Sequence, residues 1–207
     1  RLSYIVWGGP PDEALYSAAE SGDLSNRDRA SQQIERMLSD PRAIQRSKQF
    51  VSQWLHLSRL ENLQPDVKRF PTWKPEIAHD MREETLRFFE EVAWRQNRPL
   101  TELFNAQVTF ATPRLAQHYG LQPKGGDDWT RYDLSSDTAR GGLLTQGSVL
   151  TIGGNEASMV ARGLFVLHDV LRGEVKDPPP CVDTRPPPTK EGLTQRGIAS
   201  QRIANQA

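Results

Sequence analysis

The sequence predicts a mainly α-helical protein of two packed helical subdomains, with at most one short β element and a proline-rich extended segment near the C-terminus. Three observations support this prediction. Apolar residues recur at helical spacing through most of the first half of the chain. Prolines and capping residues stand at the start of these segments, where helices favour them. A strand-like alternation is confined to residues 129–134.

The first two predicted helices follow one another closely. One is capped by Asp23 or Ser25 and runs to about Ser39. Pro41 then opens the second helix, because the fixed φ of proline suits a first helical turn.

The third helix is the best-defined element of the sequence. It is predicted from Pro75 to about Asn97. Its apolar residues approximate a 3.6-residue period: Ile77, Met81, Leu86, Phe88, Phe89, Val92 and Ala93. Its charged residues are interpreted as the solvated face of an amphipathic helix: Asp80, Arg82, Glu83, Glu84 and Glu90.

The second half alternates short elements with turns. A helix is predicted over 113–119, capped by Thr112, and a short strand over 129–134. The glycine- and aspartate-rich stretch between them divides the chain into predicted domains 1–124 and 125–207.

Further helices are predicted over 142–150 and 159–171, the latter capped by Ser158. Residues 176–188 are proline-rich and are expected to be extended. A last helix is expected to begin near Thr189.

Composition narrows the classes of function. The 207 residues contain 26 Lys and Arg and 26 Asp and Glu, so the formal net charge is zero. A dedicated binder of nucleic acid or anionic membranes normally carries a basic excess, so neither class is favoured. No apolar run approaches the roughly 18 residues that a membrane span needs.

The termini and the single cysteine indicate how the chain relates to a longer protein. Both ends are expected to be cuts through a longer polypeptide, since neither carries a signal sequence or a cap. Cys181 has no possible partner within the chain, and its proline-rich surroundings favour an exposed thiol with a partner elsewhere.

One candidate metal site lies on the third predicted helix. Glu76 and His79 have the Glu-x-x-His spacing of helical di-iron proteins, and Glu83 follows one turn later. Such a site needs a second Glu-x-x-His and further carboxylates, and the chain has no second copy. An ordinary solvated helix face is therefore the favoured interpretation.

His168 and Met159 are the candidate haem ligands, because histidine and methionine side chains both serve as axial ligands of haem iron. No haem-attachment motif lies within the chain, so ordinary structural roles are favoured for both. No nucleophile motif, phosphate loop or metal-binding His/Cys cluster predicts catalysis, and whether the protein is an enzyme stays open.

Several phrases of the sequence occur together and in order. In the first half they are RLSYIVW at 1–7, PDEAL at 11–15, FVSQWL at 50–55, MREET at 81–85 and RLAQHYG at 114–120. In the second half they are RGGLLTQGSVLT at 140–151, RG at 162–163 and the prolines at 178–180. The chain thereby resembles the paired domains of unknown function found in large secreted cytochrome-c-like proteins of planctomycetes and other bacteria, with the companion domain from about residue 138.

The resemblance implies an extracytoplasmic protein, periplasmic or secreted, associated with haem c. In that family the companion domain typically continues into a Cys-x-x-Cys-His motif, which would follow residue 207. The resemblance supplies no catalytic residue.

The leading hypothesis is a non-catalytic helical module that supports electron transfer by a haem outside the chain, with other domains or subunits of a redox assembly as partners. The first alternative is a haem-free structural or interaction subunit of an envelope complex. The second is a metal-dependent enzyme built on Glu76, His79 and Glu83.

Overall fold

The computed structural model describes residues 1–68, 70–126, 128–156, 158–176 and 195–204. Within these residues the protein is mainly α-helical, as the sequence predicts, and its β structure is one small two-stranded sheet. The α-helices are α1 (Leu2–Val6), α2 (Glu13–Glu20), α3 (Arg27–Leu38), α4 (Pro41–Trp54), α5 (Pro75–Phe89), α6 (Pro113–His118), α7 (Gly147–Leu150), α8 (Met159–Phe165) and α9 (Gln195–Ala204).

Shorter helical segments join these elements. The 3₁₀ segments are Asp23–Ser25, Leu57–Asn62, Leu100–Phe104, Leu143–Thr145 and Gly154–Glu156. Two π-helical segments, Glu90–Arg95 and Val166–Val170, extend α5 and α8 at their C-terminal ends. Helix α5 and its extension together cover the long third helix that the sequence predicts.

Local sequence explains where several helices begin. Proline occupies the first turn of α4, α5 and α6. The side chains of Thr112 and Ser158 cap α6 and α8, as predicted. The cap of α3 is Asn26, whose Oδ1 accepts two backbone N–H groups, rather than Asp23 or Ser25.

The sheet joins the two halves of the chain. Strand β1 (Val108–Ala111) pairs antiparallel with β2 (Thr130–Asp133), and Thr109 lies opposite Tyr132. The second strand lies within the predicted one, whereas the first was not predicted. The helix predicted over 142–150 is instead a 3₁₀ turn followed by α7.

Helix α5 is the centre of the larger hydrophobic core. Nine of its fifteen residues are buried, and it contacts α4, α6, α7 and β1. The core combines residues on both sides of position 124, from Val51 and Phe88 to Leu143 and Phe165. The domain boundary near residue 124 stays a prediction.

A smaller cluster packs α1 and α2 against α3 and α4. It consists of Trp7, Leu15, Met37 and Ala43. The indole N–H of Trp7 donates to the Met37 carbonyl at 2.9 Å, and the Arg42 guanidinium lies 3.6 Å from the centre of the Trp7 ring. Hydrogen bonding and stacking therefore fix the N-terminal helices on the bundle.

Candidate functional site

A carboxyl group is buried in the middle of the bundle. Glu84, on α5, has no exposed surface. The Thr109 hydroxyl from β1 donates to its Oε1, and the Tyr119 hydroxyl donates to its Oε2 at 2.6 Å. The backbone N–H of Gly147, at the start of α7, donates in turn to the Tyr119 oxygen at 3.1 Å. Residues from β1, from the end of α6 and from the start of α7 thus form one hydrogen-bonded network around this acid.

Burial is the largest influence on the pKa values of Glu84 and Tyr119. Loss of solvation raises the pKa of Glu84 to about 7, although hydrogen bonds from Thr109 and Tyr119 and the charge of Arg140 oppose the rise. Burial, together with the charge of Glu84 and the hydrogen bond to it, raises the pKa of Tyr119 well above 10. The tyrosine therefore stays protonated, and the glutamate is the group that titrates near neutral pH.

A cavity of about 240 Å³ opens beside this network. Its wall is mostly apolar and includes the rings of Phe70, Trp73 and Tyr119. The guanidinium of Arg140 lies 3.8 Å from the centre of the Tyr119 ring, a distance typical of a cation–π contact. Arg140 therefore places a positive charge at a hydrophobic wall.

His118 also lines the cavity. Its Nδ1 lies 3.1 Å from the Thr72 hydroxyl, and its ring meets that of Trp73 edge to face. Burial, and then the charge of Arg140, lowers the pKa of His118 below its usual value. The imidazole is therefore neutral at pH 7.

The close approach of α7 to this network requires a glycine. A Cβ at Gly147 would lie 2.3 Å from the Tyr119 hydroxyl oxygen and 2.8 Å from Cγ of Met81. Gly142, with φ of +69°, comes similarly close to the Phe104 carbonyl. Gly142 and Gly147, in the segment 140–151, thus allow the two halves of the chain to pack closely against each other.

A second buried acid of α5 is fully paired. Asp80, 1% exposed, accepts two hydrogen bonds from the Arg114 guanidinium at 2.6 and 2.8 Å. The Thr112 hydroxyl donates to the same carboxylate at 2.6 Å. This ion pair fixes α6 on α5.

A pair of hydroxyls connects α5 to α7. Thr85 and Ser148 are fully buried, with their oxygens 2.6 Å apart. Because the Thr85 hydroxyl donates to the Met81 carbonyl, the Ser148 hydroxyl supplies the proton between them. The guanidinium of Arg59 donates to the Ser148 carbonyl from the other side.

Each half of the chain matches a protein-family model. The model of the family described as protein of unknown function DUF1592 (PSD4) matches residues 1–121, more than half of the chain. The chain belongs to the DUF1592 family. A second model, protein of unknown function DUF1588 (PSCyt3), matches residues 140–207. The paired-domain resemblance is therefore confirmed. Curated proteins and solved structures gave no match.

The buried network crosses between the two matched regions. Glu84 and Tyr119 belong to the DUF1592 region, and Arg140, Gly147 and Ser148 belong to the DUF1588 region. The phrases that carry the resemblance at 81–85, 114–120 and 140–151 thus meet in space.

The predicted metal residues are placed differently. Glu76 and His79 are exposed on α5, and the half-buried Glu83 pairs with Arg82 at 2.8 Å. Among the described residues, no three His, Cys, Asp or Glu side chains are grouped to hold a metal ion. The structure does not bring the predicted triad together as a site.

The two potential haem ligands lie at opposite ends of α8 and its extension. Met159 is 36% exposed in the first turn, and His168 is exposed nine residues later beside a different cavity, with Leu55 and Asp169. Nine residues of helix span roughly 14 Å, so these two side chains do not fit as axial ligands of one iron. Cys181 and residues 177–188 of the proline-rich segment lie outside the described residues.

Sequence reasoning missed the site itself. The interpretation of Asp80 and Glu84 as solvated is wrong, because both are at most 1% exposed. A signal was present: both fall in helical register with the buried Ile77 and Phe88. Arg140 and Tyr119 were noticed only within the family phrases, since nothing local marks them as neighbours.

Proposed function

We propose that this DUF1592 chain is a non-catalytic helical module of an extracytoplasmic c-type-cytochrome-like protein. In this role it supports electron transfer by a haem carried outside its 207 residues. The observation that carries the proposal is the junction between the two matched regions. DUF1592 and DUF1588 residues share one buried core and one hydrogen-bonded network, so the two regions are packed directly against each other. The name of the second family, PSCyt3, connects the module with cytochromes.

The chain's own contribution is mechanical. When bound, the haem supplies one-electron chemistry. Burial and a fixed protein environment are among the properties that set a haem potential. A module fixed through Glu84, Tyr119 and Gly147 is suited to hold a neighbouring haem domain in one orientation.

Localisation belongs to the same proposal. The cytochrome-like name of the second family supports periplasmic or secreted placement. Among the described residues, no helix has the length and apolar character to cross a bilayer. Cell fractionation with an antibody against the chain tests this placement, and a signal confined to the cytosol would contradict it.

A redox titration of the native protein that carries this chain tests the supporting role. We expect covalently bound haem, and a midpoint potential that changes when the junction is disturbed by Gly147→Ala. The matched control is Gly163→Ala, since a Cβ at this helical glycine meets no atom within 4 Å. Equal midpoint potentials in both variants would argue against a role for the junction.

One observation favours the alternative of a haem-free interaction subunit. A groove of about 670 Å³ between α4 and the segment 94–104 has an apolar wall. Phe50 and Leu100 on this wall are 62% and 61% exposed. An apolar groove of this kind suits another protein subunit of an envelope complex. Isolation of a stoichiometric complex whose other subunits hold all the haem would favour this alternative.

A further inference from the structure

The cavity beside Tyr119 has the size of a small ligand site. Its volume is about 240 Å³, and an engineered apolar cavity of about 150 Å³ is known to take up benzene. Phe70 and Trp73 give part of the wall an aromatic surface. The space therefore accommodates a body of one or two rings.

Arg140 is the one charged residue among the described residues that line this cavity, because His118 is neutral at pH 7. Its guanidinium stacks on Tyr119 and has no hydrogen-bond acceptor or ion-pair partner in the described part of the chain. Its charge acts on nearby groups, since it opposes the rise in the pKa of Glu84 and contributes to lowering the pKa of His118. A half-buried cation without a partner at an apolar wall favours an anion.

Asn155 adds a second donor to the same cavity. Its Oδ1 accepts the backbone N–H of Gln64 at 2.7 Å, which leaves the amide NH₂ group to donate elsewhere. No Asp or Glu side chain is among the described lining residues. The polar groups of the cavity thus favour an anionic ligand that accepts hydrogen bonds, and they do not favour a cation.

We propose that this cavity binds a small organic carboxylate with a ring-sized apolar body. The carboxylate pairs with the Arg140 guanidinium, which presents a fork of N–H donors, and the ring packs against the aromatic wall. The site includes Arg140 from the DUF1588 region and Trp73 from the DUF1592 region, so binding requires both regions. The proposal does not depend on haem.

Titration calorimetry on the full protein at pH 7 tests this site with three probes. The probes are 2-naphthoate, the neutral 2-naphthalenemethanol and acetate. We expect 2-naphthoate to bind at least about tenfold more tightly than the alcohol, because its charge pairs with Arg140, and acetate to give no saturable heat. Equal binding of naphthoate and the alcohol, or no binding of either, would overturn the proposal.

Variants assign the preference to Arg140. Arg140→Gln is expected to bring naphthoate and alcohol affinities within about twofold of each other, while Arg140→Lys keeps the charge and part of the preference. The matched control is Arg87→Gln, which removes an arginine stacked 4.8 Å from the Trp129 ring, outside the cavity. Unchanged alcohol binding shows that a variant is folded. A full preference for naphthoate in folded Arg140→Gln would refute the assignment.

Discussion

The hydroxyl of Tyr119 donates a 2.6 Å hydrogen bond to the fully buried carboxyl group of Glu84. The same oxygen accepts the backbone N–H of Gly147, from the DUF1588 region. One tyrosine therefore connects a buried acid of the first family region to the backbone of the second.

Glu84 is expected to make stability fall as the pH rises. Its pKa is raised from 4.5 to about 7 in the folded state, so the folded protein binds more protons than the unfolded chain between these values. The contribution is fully present below pH 4.5, decreases through the window and is lost above pH 7. At about 1.4 kcal/mol per unit, the loss is on the order of 3 kcal/mol.

Urea unfolding of Glu84→Gln at pH 4.5, 5.5, 7 and 8 checks this prediction. The amide cannot titrate, and it retains one acceptor and one donor for Tyr119 and Thr109. The variant should therefore gain stability relative to wild type as the pH rises. Glu83→Gln, at a half-buried neighbour, is the control and should follow wild type. If the difference in free energy of unfolding between Glu84→Gln and wild type did not change with pH, Glu84 would not be the group that titrates.

The Asp80–Arg114 pair is expected to contribute more to stability than a surface pair. Arg114→Gln leaves the buried carboxylate of Asp80 without its cation, so we expect a loss of about 2–3 kcal/mol in the free energy of unfolding. Arg82→Gln disrupts the more exposed pair with Glu83 and should lose less than about 1 kcal/mol.

Denaturant titrations of both variants, of Asp80→Asn and of the double variant Asp80→Asn/Arg114→Gln measure these differences. The double variant should lose less than the sum of its two single changes, because the uncompensated charge is gone. Equal losses for Arg114→Gln and Arg82→Gln would show that burial of Asp80 does not strengthen its pair.

Gly147→Ala is expected to destabilise the fold by about 1–3 kcal/mol, since the new methyl group would lie 2.3 Å from the Tyr119 oxygen. Gly163→Ala in α8 meets open space and should stabilise by about 0.5–1 kcal/mol. Thermal and urea unfolding measure these two changes in stability, which are expected to have opposite signs. Adding Tyr119→Phe should offset part of the loss at Gly147, and strict additivity would argue against the contact.

The Thr85–Ser148 pair predicts coupling between the two family regions. Thr85→Val leaves the buried Ser148 hydroxyl without its acceptor, and we expect a loss of about 1–2 kcal/mol. The double variant with Ser148→Ala should be less destabilised than the sum. A double-mutant cycle by urea unfolding measures this coupling, and a value of zero would mean that the hydroxyls do not interact.

Sequence periodicity was sufficient for the long helices. Proline at position 75 and a sustained apolar repeat define α5, because its core face recurs every three or four residues. The same repeat includes Asp80 and Glu84, and polarity alone led to their interpretation as solvated. Their partners, Arg114 and Tyr119, lie about 35 residues away, so only the tertiary fold shows that these acids are satisfied.

The short helices and strands depend on tertiary contacts, which the local sequence pattern does not predict. Strand β1 is four residues long and is fixed by its pairing with β2. The helix predicted over 142–150 is interrupted at Gln146, whose backbone is extended between the 3₁₀ turn and α7. The cavity likewise draws Trp73, Tyr119 and Arg140 from three separate segments, so it could not be predicted from spacing.

The most direct test of the proposed function is the visible spectrum of the native protein that carries this chain, reduced in alkaline pyridine. We expect the haemochrome bands of covalently attached haem c at a fixed ratio to the protein. A preparation of the intact protein that shows no such bands would contradict the supporting role in electron transfer. The anion site at Arg140 would be unaffected by that result, because its calorimetric test requires no haem.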